Sequence, residues 1–204
     1  FGFTGLHWIV RARDYPMSFE MVNTWLKLSP ETAQIKNCYG QLPLHYACYW
    51  GASFEVVMAL FEAFPKGVEK LNGVGDLPLH CACSNGCCLK VVMALVEAFP
   101  KSVGHGNHDG DLPLHCVCES TFLEQTVFIE VLNVLLEAYP QSIGVLLEAY
   151  PQSIGCNEHK RWASDSLQHW ARKMSGYDSD EEEDSYDSEF ENKLIASSIN
   201  EAII

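Results

Sequence analysis

No apolar run in this chain approaches the roughly 18 to 20 residues of a membrane-spanning helix, so the sequence places none of its 204 residues across a bilayer. Basic residues are scarce. Thirteen Lys and Arg stand against 27 Asp and Glu, and no basic stripe is present to neutralise phosphates, which argues against direct nucleic-acid binding. No Gly-rich phosphate loop follows a strand. The histidines have no third, orienting group beside them and no oxyanion cradle, so neither a nucleophilic pair nor a catalytic residue is assigned, and no cofactor is expected. Cysteine is abundant, at nine, yet no Cys-x-x-Cys pair of the structural zinc type occurs. In His80-Cys81-Ala82-Cys83 a helix would point Cys81 and Cys83 in roughly opposite directions. His80 and Cys83 share a face at i and i+3, but they lack further ligands, and no metal site is expected.

What the chain does contain is a period. Pro43-Leu44-His45, Pro78-Leu79-His80 and Pro113-Leu114-His115 recur every 35 residues, and Pro30, Pro65 and Pro100 keep the same step. The segment Gly40-Gln41-Leu42-Pro43-Leu44-His45-Tyr46-Ala47-Cys48 aligns with 75–83 and 110–118, and Gly2-Phe3-Thr4-Gly5-Leu6-His7 is an older copy. A unit copied at constant period cannot bury its own apolar face, and it must stack on its neighbours.

Each unit reads as two helices. Proline at the first helical position costs no hydrogen bond, and Leu44, Ala47 and Cys48 then form a thin apolar stripe that Gly51, or Gly86 in the next copy, ends. Phe54, Val57, Met58 and Phe61 follow the i, i+3, i+4, i+7 pattern, with Val56 and Leu60 as a second stripe. Leu89, Val92, Met93 and Val96, with Val91 and Leu95, repeat it. So wide an apolar arc suits a helix packed on both sides. Pro65, Pro100 and Pro140 are expected to end these helices, and Asn37-Cys38-Tyr39-Gly40, Asn72-Gly73-Val74-Gly75 and Asn107-His108-Asp109-Gly110 to form turns.

Gly-x-x-Pro-Leu-His-x-Ala followed by Gly and a Val-Val second helix resembles the ankyrin repeat, from about residue 2 to 156. The resemblance implies an all-α repeat solenoid of helix-turn-helix units with short finger connections. Leu42, Leu77 and Leu112 replace the family's threonine, so each histidine is expected to bond backbone instead. Ala-Phe-Pro or Ala-Tyr-Pro replaces the family's Gly-Ala end of the second helix, and the unit exceeds the usual length of about 33 residues by about two. Units are expected at about 1–36, 37–71, 72–106 and 107–156, with a degenerate cap at 157–174 and an acidic, disordered tail at 175–204. Phe1 falls inside a unit, so further sequence upstream is expected. Cys48, Cys83 and Cys118 stand where the family has alanine, which reads as small apolar packing in a reducing compartment, cytoplasmic or nuclear.

The resemblance also implies a function: a non-enzymatic adaptor, expected to be monomeric, that holds another protein with its finger tips and the exposed side of its first helices. In this register the face comprises Cys38, Tyr39, Gln41, Tyr49 and Trp50, then Gly73, Val74, Asp76, Ser84 and Asn85, then His108, Asp109, Asp111, Glu119 and Ser120, running from aromatic to acidic. Tyr39, Tyr49 and Trp50 are either interface anchors or padding against the neighbouring finger. The alternative is a targeting arm of a larger enzyme encoded upstream.

The fourth unit departs from the pattern. Cys118 to Pro140 spans 22 steps where Cys83 to Pro100 spans 17, and 134–144 is repeated residue for residue as 145–155. Val145 to Tyr150 is expected as a separate short helix or bulge, and Ala163 to Met174 as a closing helix. Tyr177 to Glu191 holds nine acidic residues and no basic one, the pattern of a solvated tail. It would also attract a basic partner, or accept phosphate at Ser179 and Ser188, each with an acidic residue three positions on. The apolar end, Leu194 to Ile204, reads as a short docking helix.

Overall fold

The computed structural model describes residues 2–11, 18–85, 88–120 and 125–139. The expectations for 145–155, the closing helix, the tail, Ser179, Ser188 and the terminal peptide lie outside these residues. Described residues form eight α-helices: α1 (Gly5–Arg11), α2 (Ser18–Leu28), α3 (Pro43–Tyr49), α4 (Phe54–Ala63), α5 (Pro78–Ser84), α6 (Leu89–Ala98), α7 (Pro113–Glu119) and α8 (Gln125–Ala138). The fold is all-α, with no strand among the described residues. The odd-numbered helices pack on one another in chain order, and so do the even-numbered ones, giving two layers with the core between them.

The inner helices start where proline demands it. Leu42, Leu77 and Leu112 sit extended at the N-cap, with Pro43, Pro78 and Pro113 at the first position. Glycine ends α3 as expected: Gly51 adopts φ +62°, its N–H donates to the Cys48 carbonyl at 3.2 Å, and the Ala52 N–H reaches back to Ala47 at 2.9 Å. This double closure of the last turn needs a left-handed residue. The stripe expected on α3 is too narrow, however. Pro43 through Cys48 are all buried, because the helix is covered by α1, α4 and α5 together.

Outer helices bury a narrower arc than their composition suggests. Val56, Val57 and Leu60 are buried in α4, and Val91, Val92 and Leu95 in α6. Met58 and Met93, expected inside, are not: Met58 is half-buried and Met93 is 50% exposed. At about 100° per residue these methionines point some 150° from the centre of the buried arc. Ser53 caps α4 by accepting from the Val56 N–H at 3.5 Å.

Prolines end the outer helices as expected, and they also begin something the periodicity does not show. Phe64 and Phe99 leave the helix at φ −145°, and 3-10 turns follow at Pro65–Glu69 and Pro100–Gly104, with a counterpart at Pro30–Gln34. These turns send Val68 and Val103 into the core. The five extra residues of the fourth unit are mostly taken up by α8, which has 14 residues where α4 and α6 have 10 and stops at Ala138, before Pro140. In the first unit Gly5 stands where the others have proline, and the Trp25 ring packs there: a Cβ on Gly5 would lie 2.5 Å from it.

Two glycines separate backbone strain from crowding. Gly75 and Gly110 share the left-handed region, at φ +85° and +87°. A Cβ on Gly75 would meet the His108 amide nitrogen at 2.7 Å, whereas one on Gly110 meets nothing within 4 Å. Gly110→Ala should therefore cost about 1 kcal/mol, and Gly75→Ala at least twice as much. Urea unfolding of the two variants checks the order, and equal losses would contradict it.

Candidate functional site

The finger connections are built from one asparagine and one glycine each. The Asn37 Oδ1 accepts from the Tyr39 and Gln41 N–H groups at 2.9 and 3.0 Å. Asn72 does the same for Val74 and Asp76 at 3.0 and 2.9 Å, and Asn107 for Asp109 and Asp111 at 3.0 and 2.9 Å. An amide side chain that satisfies two turn N–H groups makes the loop's shape independent of the residues at its tip. Neighbouring fingers are then tied by main chain: the Gly73 N–H donates to the Tyr39 carbonyl at 2.9 Å and the His108 N–H to Val74 at 3.1 Å.

Below the fingers, four histidines hold the inner helices in register. The Nδ1 atoms of His7, His45, His80 and His115 accept from the N-cap amides of Thr4, Leu42, Leu77 and Leu112 at 3.2, 3.3, 3.1 and 2.8 Å. Because Nδ1 faces an N–H, the ring proton sits on Nε2. His7 Nε2 then donates to the Gln41 carbonyl at 3.1 Å, His45 to Lys70 and Asp76 at 2.8 and 3.2 Å, and His80 to Asp111 at 3.1 Å. The expectation of backbone partners in place of threonine agrees with this geometry. Where threonine is retained, at Thr4, its hydroxyl lies 2.9 Å from His7 Nδ1.

Burial pushes all four imidazoles below their ordinary pKa, His45 to about 4, with the carbonyls that accept from Nε2 opposing the shift at His7, His45 and His80. Burial likewise pushes the Cys116 thiol up to about 12, which leaves it protonated and unreactive at neutral pH. Cys48, Cys83 and Cys118 are buried in the core. Among the described residues no three His, Cys, Asp or Glu side chains converge as metal ligands, and none of the helices is long and apolar enough to cross a membrane.

The proposed contact residues fall into three groups. Cys38, Tyr39, Tyr49, Gly73, Val74, His108, Asp109 and Glu119 are exposed. Gln41, Trp50, Asp76, Ser84, Asn85 and Asp111 are half-buried. Ser120 is 3% exposed, which removes it from the surface, because α7 ends there without the glycine that lifts the chain away after α3. Asp76 is a tie as much as a contact: its carboxylate accepts from Asn72 at 3.3 Å and from Asn107 of the next finger at 3.0 Å. Ser84 donates to the His80 carbonyl at 2.9 Å.

Rings connect the aromatic end. Tyr39 meets Phe3 with centroids 6.1 Å apart, Phe3 meets Trp8 at 5.5 Å and Tyr46 at 5.6 Å, Tyr46 meets Trp50 at 6.0 Å, and Trp50 meets Tyr49 at 5.5 Å. Tyr39 and Tyr49, at 64% and 40% exposure, are thus the open ends of one cluster that also exposes Trp8, at 56%. Trp50 packs against the core. Phe3 and Trp8 were missed from sequence, although register alone places Phe3 at the Gln41 position and Trp8 at the Tyr46 position. No family model matches the chain, and no curated protein matches it either.

The histidine network makes a pH prediction. Folded pKa values lie below the unfolded value of about 6.5, so the unfolded chain binds more protons in between and stability falls as pH drops. Urea midpoints should be flat above pH 7 and decline from about 6.5 toward 5, before carboxylates titrate. His80→Ala, expected to cost about 2 kcal/mol for an orphaned N-cap amide, should flatten that decline. A midpoint constant from pH 7 to 5 would contradict it.

Proposed function

We propose that the chain is a non-enzymatic protein-binding module, an ankyrin-type repeat solenoid that holds another protein along its fingers and inner helices. The solenoid reading is supported by the thrice-repeated order of inner helix, outer helix, 3-10 turn and finger, and by hydrogen bonds that link each finger to the next through equivalent atoms. The single observation that carries the binding reading is the cluster of rings left open to solvent at Trp8, Tyr39 and Tyr49. Large rings exposed on a rigid scaffold carry little conformational entropy to lose on contact, and they are the side chains most often found at the centres of interfaces. The fingers suit this use, because their shape is set by Asn37, Asn72 and Asn107 and leaves the tips free to vary. Packing cysteines and the protonated Cys116 thiol suit a reducing compartment, cytoplasmic or nuclear, and the module acts as a monomer.

Trp50 is a poor first target for a test, because removing a ring packed on the core costs about 3 kcal/mol or more of stability. Tyr39→Ala with Tyr49→Ala leaves the core intact. Affinity purification with the wild type and this double variant should show one or more proteins retained by the first and lost, by about tenfold or more, from the second. Retention unaffected by the double substitution, at equal thermal stability, would overturn the face.

A further inference from the structure

Past α1, which ends on Arg11, charge is segregated between the two layers. The finger and inner-helix segments 37–50, 72–85 and 107–120 contain no Lys or Arg, yet they hold Asp76, Asp109, Asp111 and Glu119. Lys27, Lys66, Lys90 and Lys101 lie on the outer helices and 3-10 turns, among acidic residues such as Glu20, Glu55, Glu62 and Glu97. The outer side is therefore mixed, whereas the finger side is acidic at one end and aromatic at the other.

Register places the two ends on successive units. The tip residues run Tyr39, Val74, Asp109, and after Arg11 on α1 the last residues of the inner helices run Tyr49, Ser84, Glu119. These columns are contiguous, because neighbouring fingers are hydrogen-bonded and α3, α5 and α7 pack in order. Each column changes from aromatic through small to anionic. Asp109 and Glu119 are exposed, and Asp111 leaves 44% of its side chain open.

Resting on the reading that this face binds protein, we infer that its partner is an extended cationic segment of another protein, seated with apolar or aromatic side chains on Tyr39 and on Tyr49 and with Arg or Lys at Asp109, Asp111 and Glu119. Charge complementarity selects this occupant. An acidic segment would meet four carboxylates on segments that carry no Lys or Arg, whereas guanidinium groups bond carboxylates in pairs and stack on rings. Spacing follows from the scaffold: packed helices lie about 8 to 10 Å apart and an extended chain rises about 3.3 Å per residue. Two units therefore separate the apolar anchor from the cation by about five or six residues.

The test is selection of short random peptides on the full chain, followed by fluorescence anisotropy of the enriched sequences. Three proteins are compared: wild type, Asp109→Asn with Asp111→Asn and Glu119→Gln, and Tyr39→Ala with Tyr49→Ala, each checked by circular dichroism for an unchanged fold. Enriched peptides should carry Arg or Lys about five or six residues from an apolar residue. They should bind about tenfold or more weakly to the neutralised variant, and weaken with added salt. The acidic segment 177–191 is identical in all three proteins, so cationic peptides held there instead would bind the neutralised variant as well as wild type, which overturns the inference. Neutral or acidic peptides that depend on Tyr39 and Tyr49 would also overturn it while leaving the binding face standing. An empty selection, or peptides indifferent to both variants, would count against the inference and the face together.

Discussion

Three inner helices, α1, α3 and α5, are each bound at the start by one neutral imidazole that serves two masters. Its unprotonated nitrogen takes the N-cap amide of its own helix, and its protonated nitrogen reaches a carbonyl of the next finger, as His7 does with Gln41, His45 with Asp76 and His80 with Asp111. That same carbonyl closes the finger by accepting from Asn37, Asn72 or Asn107. Helix start, finger shape and unit spacing thus meet at one atom. Burial is what makes the arrangement tight, since a desolvated polar group left unpaired is costly, and it is also what keeps the rings uncharged.

This division of labour explains how one surface can be rigid and variable together. Main-chain bonds, asparagine amides and buried histidines do the holding, so the residues at 39, 74 and 109 contribute no bond on which the finger depends except through their backbone. Where a side chain does take part, as Asp76 does between Asn72 and Asn107, it is drawn partly out of the finger surface. Aromatic residues follow the same logic in a different way. Phe3, Tyr46 and Trp50 form the packed interior of a ring cluster, and the rings that remain open are those at its ends.

Much of this was legible because proline, glycine and histidine have few places to go. Pro43 could only open a helix, Gly51 could close one, and a histidine two residues after each such proline had to find backbone once threonine was absent. The period itself put Tyr39, Val74 and Asp109 at equivalent places. What escaped depended on geometry that hydrophobic pattern does not encode. The 3-10 turns after Phe64 and Phe99 arise from a backbone angle, and Met93 looks like core until the helix is rotated about Val91, Val92 and Leu95. Ser120 resembles Trp50 in register but is buried, because α7 lacks a glycine stop. Phe3 and Trp8 were hidden by the weakness of the first copy, whose Gly5 makes room for Trp25 in place of a proline.

The left-handed glycines at 40, 75 and 110 have a consequence for inheritance as well as for shape. Each lies one residue beyond a tip whose amide is already held by asparagine, so a point change at the tip alters what the surface offers without altering how the chain closes. What the fingers present is written in single replaceable letters, and the grammar that shapes them is kept elsewhere. Substitution at the three tip codons would change the finger surface while the closure of each finger, held by asparagine and glycine, stayed the same.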